Sequence, residues 1–296
     1  MRTIALGFSL TVLAVSLLSC RGRPDSRSGP DRSLGHPLAL RAPAGTGPTD
    51  RRIRDLQDQL RRAPGSPELW MTLGEAWVRR AREAADPGLY HSAADCAAAA
   101  LALSPGAPRA LALRGMVLLD AHRFDEARAL AADLTARHPG FARGHGILSD
   151  ALLELGRLEE AATAAQRMMD LKPDLPSYSR ASHLLWLQGD SDGALEAARL
   201  AVDAGGDPEA RAWVRTQAAL IRLHRGEHAR ADAELDLALA DFPDHPAALA
   251  AKARVALSRG DRAASRRWQE RADARALRAD GPMTAARGAP VAGWAP

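Results

Sequence analysis

Proline recurs at a nearly fixed interval through most of this chain. Pro105, Pro139 and Pro173 stand 34 residues apart, and Pro208 and Pro243 follow at 35. Each closes a helix-forming, Ala/Leu-rich stretch such as Ala97 to Ser104 or Ala161 to Lys172. Proline has no amide hydrogen and its ring clashes with the carbonyl four residues back, so it marks where a helix stops. Midway between prolines most units carry glycine followed by a charged residue, as in Gly156-Arg157, Gly189-Asp190, Gly226-Glu227 and Gly260-Asp261. His122-Arg123 takes that place in the second unit. A unit is therefore helix, tight turn, helix. One such pair cannot hide its own apolar side, so successive pairs must lean on each other and the chain grows as a stack.

The residues at fixed places in each unit resemble the tetratricopeptide repeat. The first unit shows Trp70, Leu73-Gly74 and Trp77; the second shows Leu111, Gly115, Phe124, Ala127 and Pro139. The third shows Leu152, Leu158, Ala161 and Pro173, and fainter copies run through Ala194, Ala231 and Leu249. The resemblance covers about Thr49 to Ala279. It implies an all-α fold, a right-handed α-α superhelix of about six helix-turn-helix repeats with an extra N-terminal helix. Small residues such as Ala127, Ala161, Ala194 and Ala231 let the two helices of a unit approach, while Trp70, Trp77 and Phe124 fill holes between units. Arg51 to Arg62, with Ile53, Leu56 and Leu60 at helical spacing, reads as the extra helix. The turn at Asp86-Pro87-Gly88 makes the first helix of the first unit about two turns longer than its neighbours. Ala263 to Arg278, its apolar residues diluted by charge, reads as a solvated cap.

Four segments follow: 1–19 as a signal peptide, 20–48 as a lipidated flexible tether, 49–280 as the repeat array and 281–296 as a disordered tail. Arg2 precedes an apolar run from Ile4 to Leu18. As a helix that run spans roughly 22 Å, short of the ~30 Å hydrocarbon core, so it reads as a signal segment. Leu17-Leu18-Ser19-Cys20 resembles a bacterial lipobox, which implies lipidation at Cys20. Arg21, Arg23 and Arg27 follow the run, and positive charge favours the cytoplasmic side. An uncleaved anchor or an inverted insertion therefore stands beside the lipoprotein reading. The lipobox resemblance implies a lipid-anchored place in the bacterial cell envelope, on the outer-membrane or periplasmic face. A cytoplasmic or inner-membrane-anchored protein is the alternative.

The net charge of +4 is carried almost wholly by arginine, since Lys172 and Lys252 are the only lysines. Arginine and acidic residues are interspersed, the mark of a solvated face, and no basic stripe alternates with aromatics, so no nucleic-acid partner is expected. With Cys20 lipidated, Cys96 has no disulfide partner within the chain and reads as a small buried thiol. His224 and His228 are four apart, but Gly226 sets them across a turn, so no metal site is expected there. No arrangement of nucleophile, base and acid emerges, and neither catalysis nor a cofactor is expected. What remains is a surface. In the resembled family the first helix of each unit lines a concave groove, which here implies Met71, Glu75, Met116, Asp150, His183, Trp186, Thr216 and Leu220 as groove residues. The Lys, Asn and Arg set with which some members clamp a terminal carboxylate is missing. The resemblance implies a non-catalytic scaffold or adaptor binding a protein or extended peptide, and held to a membrane by its lipid anchor. Two alternatives stand: a soluble intracellular regulatory module, or an accessory subunit of an enzyme complex.

Overall fold

The computed structural model describes residues 36–279. Among them are thirteen α-helices and no strand. α1 (Pro48–Arg62) comes first, and six antiparallel pairs follow. They are α2 (Pro67–Ala84) with α3 (Tyr90–Leu103), α4 (Pro108–Asp120) with α5 (Phe124–Arg137), and α6 (Ala142–Glu154) with α7 (Leu158–Leu171). The last three are α8 (Leu175–Leu187) with α9 (Ser191–Asp203), α10 (Pro208–His224) with α11 (His228–Asp241), and α12 (Pro246–Ser258) with α13 (Arg262–Ala279). The expected α-α solenoid of six repeats with an extra leading helix is present. Each pair packs on the next, and the first helices form a continuous layer in which α2 meets α4, α4 meets α6, and so on to α12.

Local chemistry explains the boundaries. Proline opens α1, α2, α4, α10 and α12, where the missing amide costs nothing. Ser66, Asp174 and Asp190 cap α2, α8 and α9 by accepting a backbone N–H with their side chains. The turn inside five units holds one residue in the left-handed region at the same place: His122 (φ 56°), Gly156 (73°), Gly189 (87°), Gly226 (74°) and Gly260 (81°). Glycine suits that position because it has no Cβ to clash; His122 adopts it with its ring edge-on to Phe124 at 5.5 Å. Phe124 is half-buried at the start of α5.

Ala127, Ala161, Ala194 and Ala231 are fully buried where the second helix of a unit crosses the first. Facing them, twelve residues earlier, stand Gly115, Ser149, Ser182 and Ala219. Ser149 donates to the Ala161 carbonyl at 2.9 Å, and Ser182 repeats this on Ala194 at 2.8 Å. Gly74 lets α4 of the second unit come close to α2, since a Cβ there would lie 2.2 Å from Leu113 Cδ2. Trp70 and Trp77 are 3% and 1% exposed and anchor the first core with Ile53, Leu56 and Leu60 of α1. Cys96 is buried in that core, which pushes its thiol pKa up.

Two expectations need correction. The tether assigned to 20–48 does not run free to its end. Ala39 is fully buried, and its carbonyl accepts from Gln57 Nε2 at 3.0 Å and Trp77 Nε1 at 3.1 Å. Leu38 N–H donates to Asp95, and the Arg41 guanidinium lies 5.5 Å from the Trp77 ring. Two buried polar groups need an acceptor, and the segment before α1 supplies it. α2 does outrun its neighbours, but with 18 residues against 13 in α4 the excess is about one and a half turns. Residues 1–35 and 280–296, and with them the signal segment, Cys20 and the tail, lie outside the described residues. Among the described residues no helix is long and apolar enough to cross a membrane.

One cap is acid-sensitive. His245, 4% exposed, accepts the Ala248 N–H on Nδ1 at 3.2 Å and so caps α12. Burial lowers its pKa from 6.5 to about 4. Below pH 6.5 the unfolded chain takes up a proton that the folded chain refuses, so this group's contribution falls as pH drops and is exhausted near pH 4. Between pH 7 and 4.5, urea denaturation of His245→Asn, which keeps a capping oxygen, should show a stability loss smaller than wild type by ~2 kcal/mol. Parallel losses in both proteins would show that His245 does not titrate this way.

Candidate functional site

The inner layer of first helices carries a ladder of arginine–carboxylate pairs between units. Arg109 on α4 reaches back to Glu68 (2.6 Å) and Glu75 (2.9 Å) on α2, and Arg143 on α6 reaches Glu75 at 2.6 Å. Burial pushes Glu75 up, but hydrogen bonds from Arg109 and Arg143 outweigh it and hold the carboxyl below its ordinary value. On α8, Arg180 grips Asp150 of α6 through Nε at 2.8 Å and Nη2 at 2.6 Å. This two-pronged contact fixes the angle between adjacent first helices as well as adding attraction.

The layer bends back on itself. Arg79 and Arg82, one turn apart near the C-terminal end of α2, meet Asp207 (2.7 Å) and Glu209 (3.4 Å) at the start of α10. Within this bend a hollow of about 510 Å³ opens between α6, α8 and α10, with Arg82 at its edge. Leu153, Leu175 and Pro176 provide apolar wall, and Trp213, 40% exposed, turns its ring outward on α10. Asp150, Glu154, Arg180 and Glu209 add charge to the lining. A second hollow of about 430 Å³ lies between α9, α10 and α11, but its arginines 199 and 215 are engaged with Glu196, Asp203, Glu234 and Asp241.

The eight residues expected in the groove fall into four groups. Asp150 and His183 line the 510 Å³ hollow together, and Trp186 follows one turn later on α8, its ring 6.3 Å from that of His183. Glu75 belongs to the ladder and borders a smaller hollow beside Arg52 and Arg79. Met116 and Leu220 are half-buried, packed against the cores beneath the layer. Met71 and Thr216 are corrections: 2% and 0% exposed, they are core. Met71 sits beside Trp70 and Leu73 in the first core, and the Thr216 hydroxyl is satisfied by the Ala212 carbonyl at 2.7 Å. Trp213, Glu209, Arg82 and Arg180 were not anticipated. The signals available were the long first unit, the Gly205-Gly206-Asp207 linker and a tryptophan amid alanine. Among the described residues no group of three or more His, Cys, Asp or Glu could hold a metal ion.

His183 reports on the hollow. Burial lowers its pKa, and the Asp150 carboxylate partly opposes this. Asp150→Asn should therefore move the His183 imidazole titration, followed by proton NMR, to lower pH than in wild type. An unchanged or higher midpoint would mean the two side chains do not share one field.

Comparison with known proteins agrees with this architecture. A tetratricopeptide repeat family model matches residues 113–176. Cellulose synthase operon protein C of Pseudomonas fluorescens (strain SBW25) is 32% identical over 205 residues, covering 64% of this chain. The chain spans only 16% of the length of that relative. Among solved structures, a thermophilic tetratricopeptide-repeat protein of Thermus thermophilus superposes with TM-score 0.55 at 23% identity, over 65% of this chain and 98% of that one. The APC/C hetero-tetramer Cut9–Hcn1 gives TM-score 0.63 at 13% identity, over 78% of this chain and 44% of that one. The chain has the α-α solenoid fold of these structures, and residues 113–176 match the tetratricopeptide repeat family model.

Proposed function

We propose that this solenoid is a non-catalytic scaffold that holds an extended segment of a protein partner in the inner-face hollow between α6, α8 and α10. The observation that supports it is the exposed Trp213 ring standing beside apolar wall in a concavity large enough for side chains. Exposed tryptophan next to a recess is the usual anatomy of a binding hot spot, because the ring buries a large area at little conformational cost. The 32% identity to a cellulose synthase operon protein favours one form of this reading, an accessory subunit that works beside an enzyme. The Leu17-Leu18-Ser19-Cys20 motif favours a lipid anchor in the cell envelope, where acyl methylenes hold the chain to a membrane.

Two experiments test the parts separately. A photo-crosslinking amino acid at Ser179, inside the hollow, should capture a partner that the same group at the exposed Arg167 on α7 does not. Equal capture at both positions would remove the inner face as the binding surface. Radioactive palmitate should label the wild-type chain and not Cys20→Ser, which should also leave the membrane fraction. Label and membrane fraction unchanged in Cys20→Ser would end the lipoprotein reading.

A further inference from the structure

Glu209 stands apart from every other carboxylate on the inner layer. Its side chain is 7% exposed, yet its ion pair is one contact with Arg82 at 3.4 Å, long for a charge-assisted bond, which normally falls at about 2.7–2.9 Å. Glu75 by contrast is held by two arginines at 2.6 and 2.9 Å, and Asp150 by both prongs of Arg180. Burial pushes the Glu209 carboxyl above its ordinary value; the charges of Arg82 and, less strongly, Arg79 oppose this, while the carboxylates of Glu83 and Asp207 add to it. A buried carboxylate so weakly neutralised favours any further cation that can reach it.

The hollow offers that access. Glu209 lines it, and Trp213, four residues on and so on the same side of α10, lines it as well. Glu154 of α6, exposed and without an ion pair among the described residues, adds negative charge to the lining. An aromatic face beside an under-neutralised carboxylate suits a guanidinium or ammonium on an aliphatic stem. The stem lies on the ring and wall, and the charge meets both the π face and the carboxylate.

We propose that the hollow receives an arginine or lysine side chain from an extended segment of a protein partner, with Glu209 as its counter-charge and Trp213 as its seat. This rests on the reading of the inner face as a protein-binding surface and adds the chemistry of what that surface selects. Arg82 is then a stand-in from the chain itself, which the partner's cation joins or displaces.

The test uses the full chain and three fluorescein-labelled nonapeptide pools, identical in their randomised flanks and differing only in a central arginine, citrulline or glutamate. In anisotropy titrations the arginine pool should bind at least ~10-fold more tightly than the citrulline pool, and the glutamate pool most weakly. Glu209→Gln should abolish the difference between arginine and citrulline. Trp213→Leu, at an exposed position, should weaken the arginine pool several-fold with an unchanged melting curve, and it decides the matter should Glu209→Gln not fold. Equal binding of arginine and citrulline pools overturns the inference while leaving the inner face a peptide-binding surface. Binding of none of the pools removes both. An arginine preference that survives in the folded variants overturns it too. So does self-association of the chain that is lost in Glu209→Gln, because that would assign the cation to a second copy.

Discussion

Apolar contact between neighbouring helix pairs holds everything else in this molecule in place. Within a unit the helices meet over alanine, glycine and serine, residues too small to form a core alone. The fully buried alanines 127, 161, 194 and 231 work by letting backbones come close, so that many weak dispersion contacts accumulate along each crossing. The larger side chains are concentrated at the amino-terminal end, where Trp70, Trp77, Ile53 and Leu56 seal the first unit beneath α1. Order therefore passes from unit to unit, and a change at one crossing is felt mainly by the two beside it.

The charged layer on top contributes in a different way. Most inner-face pairs are partly exposed: Arg180 and Asp150 keep 26% and 32% of their side-chain surface, Arg109 and Glu75 36% and 28%. Pairs in such surroundings add little to stability, since solvent and salt weaken them. Their effect is geometric. Arg109 and Arg143 converge on Glu75 and so set the rotation of α4 and α6 against α2. A surface whose helices are held at fixed angles is prepared for a partner before the partner arrives, which limits the entropy lost on binding.

Much of this was legible along the chain. The prolines at 34-residue spacing, the glycines between them and the buried alanines are local rules of helix stopping, turning and packing, and local rules survive in a single sequence. The site was less legible. Asp150 and His183 were placed in the concavity by repeat register, but Met71 and Thr216 show how a carried register fails when a helix turns by a fraction of its circumference. Ala39 was hidden because nothing near it in sequence announces that Gln57 and Trp77 need its carbonyl. Glu209 and Trp213 were hidden because their place in the hollow depends on the bend of the whole inner layer, the sum of small rotations that no single unit encodes.

That bend carries a consequence for how such a chain can change over generations. Solenoids commonly gain or lose whole units without harm, because each touches only the next. Here Arg79 and Asp207 tie one arc into a loop of fixed circumference. Duplicating or deleting a unit inside the arc would carry the two ends past each other and leave both charges without their mates. Growth by whole units outside the arc leaves this contact as it is, so a unit added between α2 and α10 has a geometric consequence that one added elsewhere does not.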